Sequence, residues 1–142
     1  MEIKLVDEET FPSALEVYTA SWRESHRDVC TPEFLENRDH SGYLRKKLGK
    51  LWLISDETPV GVFSLDGEQF GDLYIHPSQQ GRGYGKAAIQ FAKQRTAILR
   101  LTVLSGNAAA TALYEKMSFR FTGNDTLLRD GLWEREMVYM EL

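Results

Sequence analysis

Apolar and polar positions alternate over residues 2–7, with Ile3 and Leu5 set against Glu2 and Lys4, which predicts a strand. Phe11, Leu15, Tyr18 and Trp22 then recur at i, i+4, i+7 and i+11, the apolar stripe of a helix. Thr31-Pro32-Glu33 opens a second helix with an N-cap residue, a proline in the first turn and an acid behind it. That helix is expected to run through Phe34 and Leu35 to Leu44 or Leu48, and Gly49-Lys50 ends it. Residues 51–55 and 60–65 read as a hairpin turned at Asp56-Glu57-Thr58-Pro59. Asp66-Gly67 turns the chain again into a strand over 69–76. A long helix over 83–95, a strongly apolar strand over 98–104 and a helix from Asn107 to Lys116 follow. Strands at Phe119–Phe121 and from Trp133 to Leu142 close the chain. Strands joined to helices, with hairpins between, make a mixed α/β sheet.

With 142 residues, the chain is expected to form one domain, 1–142, with a sizeable core. Hydrophobic residues make up 42% and charged residues 27%, an ordinary soluble composition. A net charge of −4 argues against a general nucleic-acid binder, which carries a basic face. The single cysteine, Cys30, cannot form an internal disulfide and fits a reducing cytoplasm. Met1–Asp7 does not read as a signal peptide, and no apolar run reaches the ~18 residues of a membrane helix, so no membrane partner is expected. His26, His40 and His76 lack ligand spacing, so no metal is expected.

The chemistry concentrates in Gln80-Gly81-Arg82-Gly83-Tyr84-Gly85-Lys86. It sits between the strand ending Asp72-Leu73-Tyr74-Ile75-His76-Pro77 and a helix-forming run. Glycine lets backbone N–H groups approach a ligand, and a helix N-terminus adds free N–H groups and partial positive charge. Such a turn suits a phosphate or pyrophosphate. The P-loop pattern fails twice: three residues, not four, separate Gly81 from Gly85, and Ala87 follows Lys86. Gly83-x-Gly85-x-x-Ala88 matches a dinucleotide fingerprint loosely. However, His76–Arg82 separate it from the strand, and the next strand ends in Ser105-Gly106-Asn107 without the acidic residue such a site needs.

Gln80-x-x-Gly83-x-Gly85 resembles the acyl-CoA pyrophosphate loop of the GNAT N-acetyltransferase superfamily, and Leu73–Pro77 resembles that family's fourth strand. Asn107-x-x-Ala110-x-x-Leu113-Tyr114-Glu115-Lys116-x-x-Phe119 is similar to the second half of the same core. The family usually has Gly-Phe at its end, where this chain has Ser118-Phe119. A serine in the left-handed conformation expected there costs roughly 1 kcal/mol. The likeness is good from about Val60 onward and weaker over 1–58, where relatives build the acceptor site. Its implied architecture is a GNAT fold: a central, mixed, mostly antiparallel sheet of six to seven strands flanked by about four helices.

The resemblance implies direct transfer of an acetyl group from acetyl-CoA to a primary amine. A small molecule is expected ahead of a protein amine as acceptor. A non-catalytic CoA-binding regulatory or interaction module is the alternative, and a nucleotide-binding protein a third. Residues Gly81, Arg82, Gly83, Tyr84, Gly85 and Lys86, with Gln80, would hold the pyrophosphate. The backbones of Leu73, Tyr74 and Ile75 would carry the pantetheine arm, with an N–H near Ile75 facing the thioester oxygen. Tyr114 is the candidate general acid for the thiolate. Asn107, two helical turns earlier and roughly 10 Å away, is both a natural N-cap and a candidate contact to the arm. Asp72 and Glu68 are the candidate general bases, Asp72 sharing a strand face with Phe70 and Tyr74 by alternation. Trp22, Tyr43 and Trp52 are candidate acceptor-pocket aromatics as well as natural core residues. Many relatives of this size are homodimers.

Overall fold

The computed structural model describes residues 1–28 and 30–141. Its strands are β1 (Glu2–Leu5), β2 (Leu51–Asp56), β3 (Thr58–Asp66), β4 (Gln69–Ile75), β5 (Ile98–Leu104), β6 (Arg120–Arg129) and β7 (Leu132–Met140). Its helices are α1 (Phe11–His26), α2 (Pro32–Asn37), α3 (Ser41–Arg45), α4 (Tyr84–Lys93) and α5 (Ala108–Lys116), with a 3-10 turn over Pro77–Gln79. The strands form one mixed sheet in the order β1-β2-β3-β4-β5-β7-β6. Pairs β1/β2, β2/β3, β5/β7 and β6/β7 are antiparallel, and β4 pairs with β5 in parallel at Gln69↔Arg100. The α/β class and the mostly antiparallel sheet are as the sequence predicts. Among the described residues no helix is long and apolar enough to cross a membrane.

Three boundaries differ instructively. The hairpin turn narrows from Asp56–Pro59 to Glu57, because Thr58 and Pro59 of β3 already pair with Asp56 and Ser55 of β2. The single helix expected from Thr31 splits into α2 and α3. Arg38 leaves helical space at φ −75° and ψ 120°, and the Asp39 carboxylate then accepts the Ser41 N–H at 2.9 Å. Strand β6 runs to Arg129, far beyond Phe121, although residues 122–130 are exposed and show no apolar alternation. Cross-strand chemistry holds it instead: Asp125 pairs with Arg135 at 3.4 Å, and Thr122 Oγ1 donates to Glu136 at 2.9 Å. β7 ends at Met140; the expectation that it reaches Leu142 lies outside the described residues.

The chain forms two compact units: Met1–Ser64 with Asp72–Ala88, and Leu65–Gly71 with the chain from Ile89 onward. In the first, Val6, Phe11, Ala14, Val17, Tyr18, Trp22, Leu35, Leu44, Leu51, Leu53 and Val62 form one apolar cluster, with Cys30 packed against it. Helix α1 starts where Asp7 and Thr10 cap each other. The Thr10 N–H donates to Asp7 Oδ1 at 2.9 Å and the Asp7 N–H to Thr10 Oγ1 at 3.0 Å.

In the second unit, Leu99, Leu101 and Val103 of β5 are buried at alternate positions. Helix α5 begins with Asn107 as its N-cap, Oδ1 accepting the Ala110 N–H at 3.1 Å. At its other end Lys93 Nζ donates to Met117 O at 2.6 Å, and Ser118 has φ +73°. The left-handed turn expected at Ser118 is therefore present without its glycine. Ser118→Gly is expected to raise stability by roughly 1 kcal/mol, read as a higher urea midpoint at unchanged m value.

Candidate active site

In the first unit, β4, the glycine turn and α1 are tied together at one place. The last carbonyl of β4, Ile75 O, accepts from Ser21 Oγ at 2.9 Å and from Gln80 Nε2 at 3.1 Å. The Gln80 amide also donates to Glu24 Oε1 at 2.9 Å. Ser21 and Glu24 lie on α1, so this helix fixes both the exit of β4 and the entrance of the turn. His76 caps the intervening 3-10 turn, its Nδ1 accepting the Ser78 N–H at 3.2 Å. Tyr84, in the first turn of α4, donates its hydroxyl to Asp56 Oδ2 at 2.7 Å.

Gly81 and Gly83 have φ of +77° and +87°, backbone that side-chain-bearing residues rarely adopt. Gly85 lies within the first turn of α4 and shows no positive φ. Among the described residues, no backbone carbonyl takes up the N–H groups of residues 80–86; the first to be taken is that of Ala87, donated to Gly83 O at 3.0 Å. Arg82 and Lys86 are exposed beside them and, among the described residues, make no ion pair. Unclaimed N–H groups at a helix start, flanked by two cations, fit an anionic group such as a pyrophosphate. The side chain of Gln80 shapes this turn, because its amide nitrogen is already engaged by the protein.

Asp72 lies three residues before Ile75. Its φ is +49°, a left-handed residue inside a strand, so the face alternation expected from Phe70 to Tyr74 does not pass through it regularly. Its side chain is only 12% exposed. Two hydroxyls donate to the carboxylate, Tyr43 Oη to Oδ1 at 2.7 Å and the buried Ser64 Oγ to Oδ2 at 2.9 Å. Lys47 Nζ stands 3.6 Å from Oδ2. Burial raises the Tyr18 phenol, with Tyr74 and Asp72 adding to the shift. The Tyr43 phenol is raised by desolvation and then by its hydrogen bond to Asp72. Tyr18 also meets the ring of Tyr74 edge-on at 4.9 Å and that of Tyr43 at 6.1 Å. Asp72 is thus a shielded carboxylate on strained backbone, ringed by hydroxyls and aromatic faces.

Glu68 is exposed in the turn before β4 and pairs with Arg100 Nε at 3.3 Å. Trp22 stacks on His26 at 4.2 Å within the core, and Trp52 stacks on Phe63 at 6.4 Å. Of the three aromatics named from sequence, Tyr43 is the one that reaches Asp72. Ser21, Ser64 and Lys47 were not legible as site residues. Ser64 carried a usable signal, a lone hydroxyl at the end of the apolar run Val60-Gly61-Val62-Phe63; Lys47 carried none. In the second unit, Tyr114 is buried and packs its ring against Phe119 at 5.7 Å. Its hydroxyl has no hydrogen-bond partner among the described residues. Asn107 is exposed at the start of the same helix.

A mixed sheet whose fourth strand feeds a glycine turn at a helix start is the arrangement of an acyl-CoA-type transferase fold. The model of the Acetyltransferase (GNAT) family matches residues 11–119, and the chain belongs to that family. Peptidyl-lysine N-acetyltransferase YjaB of Salmonella typhimurium is 36% identical over 75 residues, 51% of this chain and 52% of that protein. The chain thus matches about half the length of its curated relatives. The solution structure of apo YjaB from Escherichia coli superposes with a TM-score of 0.78 at 22% identity, covering 99% of this chain and 98% of that one. The paia N-acetyltransferase of Thermoplasma acidophilum, solved in complex with coenzyme A, superposes with a TM-score of 0.76 at 19% identity, covering 98% of each chain. These two share the fold.

Burial pushes the Tyr114 phenol up to about 12. A phenol that binds its proton more tightly when folded adds stability that is complete below its unfolded value near ~10 and disappears as the pH rises through the folded value. Tyr114→Phe lacks that contribution. Between pH ~10 and ~12, wild type is therefore expected to lose about 1–3 kcal/mol relative to Tyr114→Phe, measured by urea unfolding at stepped pH.

Proposed function

We propose that the chain, acting as a single acetyltransferase domain, moves the acetyl group of acetyl-CoA directly to a primary amine. The observation that carries this reading is the row of unclaimed N–H groups over residues 80–86 at the head of α4, in a chain of the GNAT acetyltransferase family. The names of the curated relatives, peptidyl-lysine N-acetyltransferases, favour a lysine side chain on a peptide as acceptor over a free small amine. The net charge and the lone Cys30 support a cytoplasmic protein without nucleic-acid partners.

Acetyl-CoA supplies an activated thioester carbonyl. The N–H groups of residues 81–86 hold its pyrophosphate, and Arg82 and Lys86 add positive charge. The backbones of Leu73, Tyr74 and Ile75 carry the pantetheine arm, and the Ile75 N–H faces the thioester oxygen. An alkyl ammonium loses its proton only near ~10, so a base must take it at neutral pH. Asp72 is assigned that role ahead of Glu68, because its carboxylate is shielded and oriented by two hydroxyls while that of Glu68 is exposed. Tyr114, held protonated by burial, gives its proton to the leaving thiolate, and Asn107 contacts the arm while capping α5.

Thermal unfolding with acetyl-CoA, CoA, ATP or NAD at equal concentration tests the turn. A rise with the CoA species is expected, about 2.7 kcal/mol at ~100 times Kd. A rise with ATP or NAD alone overturns the family's ligand here. Thiol release with lysine peptides and alkylamines then separates an enzyme from a non-catalytic CoA-binding module, which releases none.

Asp72→Asn is expected to lower kcat/KM by about 10²–10⁴ while acetyl-CoA affinity stays within twofold, since a base acts on the acceptor and not on the cofactor. Unchanged turnover removes the role from Asp72. Gly83→Val, by calorimetry, is expected to weaken CoA by at least about tenfold, because valine opposes φ +87° and loses the turn's N–H alignment.

A further inference from the structure

Lys47 follows α3 by two residues, in the turn that contains Gly49, whose φ is +92°. Its Nζ stands 3.6 Å from Asp72 Oδ2 and 5.4 Å from the centroid of the Tyr43 ring. A shielded carboxylate on one side and an aromatic face on the other form a recognition pair for an alkyl ammonium. The lysine side chain is itself 36% exposed, against 12% for that of Asp72. The carboxylate is held in place without Lys47, by the hydroxyls of Tyr43 and Ser64. Lys47 is therefore a guest of Asp72. It has the chemistry of the acceptor proposed above: a primary amine on a flexible chain, carried by a peptide.

We propose that Lys47 is a self-acetylation site. Its ammonium occupies the acceptor position beside Asp72, and in the presence of acetyl-CoA it takes the acetyl group within its own molecule. This rests on the acetyltransferase reading and on Asp72 as the base. The ammonium gives one proton to the Asp72 carboxylate, and the freed lone pair forms the N–C bond to the thioester carbonyl carbon. The C–S bond breaks with its electron pair on sulfur. The nitrogen loses a second proton as the amide forms. The thiolate takes up one proton and solvent the other, leaving Nε-acetyl-Lys47 and free CoA. Acetylation removes the charge that Asp72 holds, so the modified side chain leaves the carboxylate and opens the position to an external amine.

The test incubates the full chain with acetyl-CoA and no acceptor, follows acetylation of each lysine by peptide mass spectrometry, and runs thiol release with a lysine peptide in parallel. Lys47 is expected to be acetylated at least about tenfold faster than the exposed Lys46 and Lys116, which report uncatalysed background, because proximity makes the step unimolecular. Its rate per molecule is expected to be independent of protein concentration. Asp72→Asn is expected to bring Lys47 down to the rate of Lys46, and Lys47→Arg to abolish the signal there without changing that at Lys46. Lys47 labelled no faster than Lys46, in a protein that releases thiol with the external peptide, overturns the self-acetylation and leaves the acetyltransferase intact. A rate that rises in proportion to protein concentration overturns the intramolecular step. Absence of both thiol release and Lys47 labelling overturns the two readings together.

Discussion

One backbone oxygen governs the geometry of the first unit. The carbonyl of Ile75 ends β4 and offers two lone pairs, and both are used by side chains, Ser21 from α1 and Gln80 from the glycine turn. A strand end left without partners would have its last carbonyl in water and its direction free. Here the direction is fixed by a helix whose own start is set by the mutual capping of Asp7 and Thr10. The chain of cause therefore runs from a short capping pair, through α1, to the point where β4 stops and the glycine turn begins. Removing Ser21 Oγ would leave the apolar cluster intact but loosen that junction, because Ser21 bonds across the face of α1 that Tyr18 and Trp22 bury.

Asp72 is the second constraint. A left-handed aspartate in a strand costs on the order of 1–3 kcal/mol, and such backbone persists where its surroundings over-determine it. Tyr43 arrives from α3 and Ser64 from β3, so two elements that are separate in sequence agree on one carboxylate position. The strain buys orientation: the carboxylate leaves the regular alternation of the sheet and turns toward hydroxyls. The apolar environment that raises the phenols of Tyr18 and Tyr43 also strengthens each of these hydrogen bonds.

Much of this was legible from residue pattern. The strand before the glycine turn, the turn itself and the two helices behind it follow from local rules, because apolar periodicity, glycine spacing and Asn107 act over fewer than ten residues. Position Ser118 shows such a rule surviving an exception, since the left-handed turn forms with the wrong residue for it. What the pattern hid is non-local. Nothing near Lys47 or Ser64 in sequence mentions Asp72, and nothing in Thr122–Arg129 marks a strand until Arg135 and Glu136 stand opposite. The break between α2 and α3 was hidden for a different reason. Asp39 can extend a helix or start one, and its side-chain bond to the Ser41 N–H decides.

The unclaimed N–H groups of residues 80–86 have one more consequence, for the exchange of backbone protons with water. Amides inside β3 or α4 exchange only when their structure opens, whereas a group without an intramolecular acceptor has no such bond to break. The free protein thus carries, in the middle of an ordered fold, a short run of amides whose protons are lost early. An anion seated in the turn, as proposed for the CoA pyrophosphate, would supply the missing acceptors and slow that run while the helix behind it is unchanged. Occupancy of the turn would be written in the protons of its own backbone, with no conformational change required to report it.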